Sequence, residues 1–334
     1  MSLEKLKLDK SDRKILVELE TDARQSASAI AKKAHLSEQV VNYRIRKYLS
    51  SDLIQKFFAI PNYERLGFTT YRIYLQFRAA TAAQEEGIIS YVKGRMPCQW
   101  MGICDGRWDL IARISARDIF EFNRMMDAFW EKYGKLIRQK EVTVQLRHTW
   151  WPSTYGLGAA AREKTPKHVV PKKAEVVKHD DFDLRILAEL AEDARLPTVE
   201  IARKVGLSPD AVRYRMRHLQ KSGVIINMKC NFNREMTGYR HNQVFVRFQP
   251  NPEGTARFLA FLGSFEPCFF VSSMVGAWDL QFGIDAKSSV EFHELLSQIK
   301  EKFSDVIAEY ETLIVYREYA PNPFRFFLQR ENAR

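Results

Sequence analysis

Apolar residues recur at helical spacing through the first fifty positions. Ile15, Leu16 and Leu19 predict a helix over 9–20, with Ser11 or Asp9 as its cap. Ile30, Ala31 and Ala34 predict a short second helix over 26–34. His35-Leu36-Ser37 then breaks the pattern. Ser37 caps a third helix over 38–49, with Val40, Val41, Ile45 and Leu49 inward. Three helices whose last two meet in a three-residue turn predict a helix-turn-helix. The apolar run at 53–58 reads as a wing strand, as does its later counterpart at 224–228. Beyond the wing the period changes to two. Tyr71-Arg-Ile-Tyr-Leu-Gln-Phe77 alternates like a half-buried strand. An apolar helix through Ile88, Ile89 and Val92 ends at Met96-Pro97. Strands at 99–104 and 108–114 meet at the turn signal Asp105-Gly106. A helix through Phe122, Met125, Met126 and Phe129 and a last strand over 141–148 complete the order βαββαβ, a ferredoxin-like sandwich.

The whole pattern is written twice. DRKILVEL at 12–19 returns as DLRILAEL at 183–190, an offset of 171. Ala23-Arg24 matches Ala194-Arg195, Tyr43-Arg44 matches Tyr214-Arg215, and Gly67 matches Gly238. After one deletion the offset is 170, pairing Gly106-Arg-Trp-Asp-Leu110 with Gly276-Ala-Trp-Asp-Leu280. The expected chain is therefore α+β: two copies of a winged helix-turn-helix domain followed by a ferredoxin-like βαββαβ sandwich. The expected domains are 1–62 and 63–150 in the first copy, and 182–233 and 234–320 in the second. A linker over 151–181 joins them and a tail covers 321–334. The linker carries Pro152, Pro166 and Pro171 and the cations Lys164, Lys167, Lys172, Lys173 and Lys178, and reads as a solvated tether.

Charge sharpens this picture. The 334 residues hold 52 Lys and Arg against 41 Asp and Glu, a net +11. Residues 1–60 contain 12 basic and 8 acidic side chains, and residues 182–240 contain 11 and 7, so 8 of those 11 charges sit in the two helix-turn-helix segments. With Val41, Ile45 and Leu49 inward, Ser37, Gln39, Asn42, Tyr43, Arg44, Arg46 and Lys47 are left to face a partner. In the second copy Ser208, Arg213, Tyr214, Arg215, Arg217 and His218 do the same. Arg and Asn reach base edges and the others reach phosphates, so the expected partner is double-stranded DNA.

Other chemistry is not indicated. Hydrophobic residues make up 46% and charged ones 28%, the mix of a globular chain. No stretch of 18 apolar residues occurs, so no membrane span is expected, and the N-terminus lacks a signal-like apolar run, which predicts a cytoplasmic protein. Cys98, Cys104, Cys230 and Cys268 form no C-x-x-C pair, the seven histidines do not cluster at metal spacing, and Ser-His-Asp and P-loop patterns are missing. No cofactor, metal or catalytic residue is therefore expected.

The stretch LDKSDRKILVELETDARQSASAIAKKAHLSEQVVNYRIRK, with GICDGRWDL and GAWDL in the two hairpins, resembles the Lrp/AsnC transcriptional regulators. The resemblance runs through nearly the whole chain, twice. It implies a DNA-binding regulator that pairs through its sandwich sheets, forms dimers or larger assemblies, and senses an amino acid or another small metabolite. One tandem chain supplies both halves of such a pair, a pseudo-dimer. The effector site is expected at the central hairpins. There Gly106 and Gly276 let backbone approach a ligand, and Asp109 and Asp279 take its ammonium group. The hairpins are unequal: Gly102 faces Ser272 in the alignment, and Asp105 faces Val275. The sirohaem decarboxylases are similar to this family and pair two related subunits of the same plan. That alternative makes the chain an enzyme, with His148, Arg147 and Arg317 as candidate groups.

Overall fold

The computed structural model describes residues 8–151, 168–170, 175–233, 236 and 238–331. The linker cations at 164, 167, 172 and 173 lie outside the described residues. Each copy opens with three helices: α1 (Lys10–Thr21), α2 (Ala27–Ala34) and α3 (Glu38–Ser50) in the first. Helix α1 is closed by a capping box. Asp9 accepts from the Asp12 backbone N–H, and the Asp12 side chain accepts from that of Asp9. The sandwich of the first copy follows as β2 (Thr69–Phe77), α4 (Ala82–Arg95), β3 (Cys98–Asp105), β4 (Leu110–Ala116), α5 (Ile119–Tyr133) and β5 (Ile137–Trp150). The second copy repeats the plan with α6 (Asp181–Glu192), α7 (Thr198–Val205) and α8 (Pro209–Lys221). Its sandwich is β8 (Arg240–Phe248), α9 (Pro252–Ser264), β9 (Cys268–Gly276), β10 (Leu280–Ala286), α10 (Ser289–Lys302) and β11 (Ile307–Tyr319).

The strands expected as wings form no hairpin within either copy. Instead β1 (Ile54–Pro61) pairs antiparallel with β7 (Ile225–Phe232) of the other copy, Phe57 opposite Cys230. This cross-pairing merges the helical heads. Ile15, Leu19, Val41 and Ile45 share one apolar core with Leu187, Leu190, Val212 and Met216. The matched dipeptides Ala23-Arg24 and Ala194-Arg195 lock it reciprocally. The Arg24 guanidinium donates to the Ala194 carbonyl at 2.5 Å, and Arg195 donates to the Ala23 carbonyl at 2.5 Å. Val40 and Leu49 of α3 are exposed rather than inward, because the buried stripe runs Val41, Ile45, Tyr48. Tyr48 is held there by its hydroxyl, which donates to Asp12 at 2.7 Å.

The two sandwich sheets also complete each other. Their strand orders, β5-β2-β4-β3 and β11-β8-β10-β9, each leave two open edges, and β3 pairs with β11 while β5 pairs with β9. The result is a closed ring of eight strands, with α4 and α5, and α9 and α10, packed on its outside. A short strand from the linker, β6 (His168–Val170), adds to β5. An eight-stranded ring is just wide enough to be filled by side chains. At one end it is filled with Tyr74, Trp108, Ile111, Phe245, Met274 and Trp278. At the end nearer the heads the interior is polar.

Residues 323–331 are ordered as a helix, α11 (Pro323–Glu331), where the sequence offers only a tail. Its Phe324 is fully buried in the head core and stacks on Tyr63 of the first copy at 5.8 Å, and Phe327 stacks on Phe68 at 4.1 Å. The chain thus ends by tying the second sandwich back onto the first head. Phe324→Ala is expected to destabilise the head by about 3–5 kcal/mol, read as a lower urea midpoint than the parent.

Candidate functional site

The exposed faces of α3 and α8 carry most of the residues singled out for nucleic acid. Ser37 and Ser208 cap the two helices, their hydroxyls accepting from the backbone N–H of Val40 at 3.3 Å and of Ala211 at 3.2 Å. Tyr43 and Tyr214 stand 64% and 69% exposed. Gln39, Arg46, Lys47, Arg213, Arg217 and His218 are exposed, and Asn42 is half-buried. Arg46 and Arg217 each donate from Nε to the carbonyl four residues back, at 3.3 Å, which leaves their terminal amines outward. Arg213 pairs with Asp210 at 2.7 Å.

Arg44 and Arg215 are placed differently from their neighbours. Arg44 donates to Asp9 at 2.9 Å and to Asp12 at 2.5 Å, and Arg215 donates to Asp180 at 2.8 Å and to Asp183 at 2.9 Å. Both guanidiniums therefore fasten the third helix to the capping box of the first. The Arg44 hydrogen bond, helped by the Asp12 backbone N–H, holds the Asp9 carboxyl down at about 2. Burial opposes the same shift at Asp180, but the Asp183 backbone N–H and Arg215 outweigh it and lower that carboxyl too.

The hairpin residues expected to hold an effector have structural partners. Asp109 accepts from the Phe77 backbone N–H at 2.6 Å, and Asp279 from that of Phe248 at 2.8 Å. Gly106 and Gly276 take φ of +138° and +135°. A Cβ on Gly106 would collide with Leu313 of the other copy, and one on Gly276 would lie 2.8 Å from the Val142 carbonyl. These glycines serve a close approach of the two sheets.

The polar end of the barrel, beneath the paired heads, holds a partly open chamber of about 210 Å³ lined by none of those four residues. Arg72, 2% exposed, is its hub. It donates to Gln145 at 2.9 Å, to Ser272 at 2.5 Å and to Gln281, which in turn donates to Gln243. Its Nη2 also lies 3.4 Å from Nδ1 of His148, which contacts Ser272 as well. Burial pulls the Arg72 guanidinium down to about 9. Burial, reinforced by Arg113 and Arg72, drives His148 far below its ordinary value and keeps it neutral. Around the hub stand Arg113, Lys56 and Lys229, the last paired at 2.9 Å with buried Glu20. Of the three enzyme candidates only His148 reaches the chamber; Arg147 and Arg317 are exposed on the barrel's exterior strand faces. Sequence reasoning missed Arg72 and Arg113. Arg72 sits in an alternating strand at a position that reads as solvent-facing, but barrel closure turns that face inward. Among the described residues no group of three or more metal-ligating side chains occurs, and no helix is long and apolar enough to cross a membrane.

Two cross-locked helix-turn-helix heads on a closed α+β barrel define a duplicated protein of the helix-turn-helix class. The AsnC-type helix-turn-helix domain model matches it at residues 8–49 and again at 180–220. An HTH-type transcriptional regulator of Pyrococcus horikoshii is 30% identical over 128 residues, 37% of this chain and 75% of that protein. The regulator AldR of Mycolicibacterium smegmatis is 28% identical over 146 residues, 43% of this chain and 85% of that protein. The chain belongs to the Lrp/AsnC family of helix-turn-helix transcriptional regulators. Over its full length it shares the fold of the sirohaem decarboxylase NirDL, at 13% identity and a TM-score of 0.62, covering 97% of this chain and 99% of that one. The same enzyme has been solved with an iron-uroporphyrin III analogue, at a TM-score of 0.63.

The Arg44–Asp9 pair predicts an acid-sensitive head. Asp9 titrates at about 2 when folded against an ordinary 3.8. Its contribution is thus present above pH 4 and disappears as the pH falls from there toward 2. Thermal unfolding followed by circular dichroism is expected to show a midpoint that drops across this window. In Asp9→Asn the drop should be shallower and the midpoint at neutral pH lower.

Proposed function

We propose that the chain is a sequence-specific DNA-binding transcriptional regulator that works as a single-chain pseudo-dimer in the cytoplasm, responsive to a small molecule such as an amino acid. The observation that carries this is the pair of exposed, serine-capped helices, with Tyr43, Arg46 and Lys47 on one and Tyr214, Arg217 and His218 on the other, set on heads that share one core. Helices presented in this way dock in successive major grooves roughly 34 Å apart. Arg46 and Arg217 supply the freest guanidiniums for base edges or phosphates. Arg44 and Arg215 act mainly by fixing the angle of the helix. The faces differ, Asn42 standing where the second copy has Arg213, so the preferred site is asymmetric rather than palindromic. The same faces admit assembly of several chains along DNA.

Selection from a random duplex library is expected to return one asymmetric site. Fluorescence anisotropy on that site should then show the Arg46→Ala, Arg217→Ala double variant binding at least about tenfold more weakly, with a shallower dependence on salt. Equal affinity of parent and variant removes the docking assignment.

A second reading is favoured by one observation, the chamber with His148 beside Arg72 under a fold shared end to end with a sirohaem decarboxylase. On that reading the chain is an enzyme acting on a tetrapyrrole. Anaerobic incubation of the purified protein with sirohaem tests it: loss of carbon dioxide from the substrate supports the enzyme, and an unchanged spectrum and mass dismiss it.

A further inference from the structure

The chamber contains more donors than the chain can satisfy. Nε of Arg72, Nε of Arg113 and Nε2 of His148 are buried, belong to residues lining the chamber, and have no hydrogen-bond partner among the described residues. The two guanidinium nitrogens carry hydrogen whatever their surroundings. A buried donor without an acceptor costs about 1–3 kcal/mol, and more when it is charged. Native interiors leave few such groups without a reason.

The charges point the same way. Arg72 makes no ion pair: its partners Gln145, Ser272 and Gln281 are neutral. Arg113 forms neither a hydrogen bond nor an ion pair among the described residues; it lies by the faces of Trp100 and Trp150, at 5.7 and 5.9 Å, within electrostatic reach of Glu64 and Glu318. The chamber does hold carboxylates, but they are engaged elsewhere. Glu20 pairs with Lys229 at 2.9 Å. Glu318 accepts from Trp100 at 2.8 Å and pairs with His241 at 2.7 Å. Glu64 accepts from Thr70 at 3.4 Å. Arg72 is a buried guanidinium without a counter-ion, a liability in a low-dielectric interior unless an anion joins it, and Arg113, half-buried, feels Glu64 and Glu318 without pairing to either. Above and beside them the walls are flat and aromatic: Phe58, Trp100, Trp150, Phe269 and Phe270. A chamber of about 210 Å³ exceeds the roughly 150 Å³ that admits benzene.

We infer that this chamber, and not the hairpins, is the chain's ligand site, and that it takes a planar aromatic carboxylate whose oxygens accept from Arg72 and Arg113, beside His148, while its ring lies among the tryptophan and phenylalanine faces. The ligand site stands on the geometry alone. Its use as an effector rests on the regulator reading, and there the location matters. The chamber roof includes Lys56 and Phe58 of β1 and Lys229 and Cys230 of β7, the two strands that join the heads. A ligand seated below them would alter how the recognition helices are carried.

The test uses the full chain without DNA, so its failure leaves the DNA reading intact. Isothermal titration calorimetry and tryptophan quenching are followed with naphthalene dicarboxylate, with uroporphyrin III as a larger planar polycarboxylate, and with naphthalene dimethanol as an uncharged control. One-to-one saturable binding of a polycarboxylate, with the dimethanol at least about tenfold weaker, is expected. Arg113 makes no hydrogen bond, so Arg113→Met is expected to fold with an unchanged or higher melting temperature and to bind at least about tenfold more weakly, with Arg113→Lys recovering part of the loss. Binding of uroporphyrin III alone supports the site and directs it toward the enzyme reading. No saturable binding of either polycarboxylate, or equal binding by the dimethanol or by Arg113→Met, overturns the inference.

Discussion

Everything in this molecule depends on sheet edges that one copy cannot satisfy by itself. A four-stranded ferredoxin-like sheet ends in two rows of unpaired backbone groups, which are costly to bury and prone to indiscriminate pairing in water. Here each copy supplies the other's missing neighbour, through β3 with β11 and β5 with β9, and the ring closes without an edge. The head strands β1 and β7 solve the same problem in the same way. Neither half is therefore an independent fold in the usual sense. The heads, the barrel and the chamber exist only as joint products of the two.

Closure also decides what the side chains do. A strand in an open two-layer sandwich has one dry and one wet face; in this ring both are dry. Ile73 and Leu75 of β2 pack outward against α4 and α5, while Arg72 and Tyr74 of the same strand point into the ring. Tyr74 finds an apolar plug and Arg72 a web of amides. In the heads, the two carboxylates of each capping box do a second job by gripping the third helix through Arg44 or Arg215. The third helix is thus held at a set angle by charges drawn from the first.

The sequence made the helix-turn-helix, the βαββαβ order and the duplication plain, because those rest on local spacing: Ile15, Leu16 and Leu19 on one stripe, Ser37 and Ser208 as caps, alternation from Tyr71 to Phe77. What it concealed depends on contacts distant along the chain, from thirty-odd residues to well over a hundred. Strand 54–61 looks like a wing until 225–232 is laid beside it. The grip of Arg44 on Asp9 and Asp12, thirty-odd residues away, cannot be read from spacing. The backbone N–H bonds that Asp109 and Asp279 accept from Phe77 and Phe248 are not visible from spacing either. Arg72 escaped notice because a charged residue on an alternating strand reads as wet, and only the ring makes it dry.

The repeat offset pairs Arg72 with Gln243, Arg113 with Gly283, and His148 with Glu318. Two identical subunits around a twofold axis would have to present every one of these groups in duplicate, crowding like charges into one small interior and leaving no space where Phe269 now fills the gap over Gly283. Fusion breaks that symmetry at the level of the gene. Each half is free to mutate its own side of the shared hollow, so Arg72 and Arg113 stand on one lobe only, with Gln243 and Phe269 where the other would have repeated or crowded them.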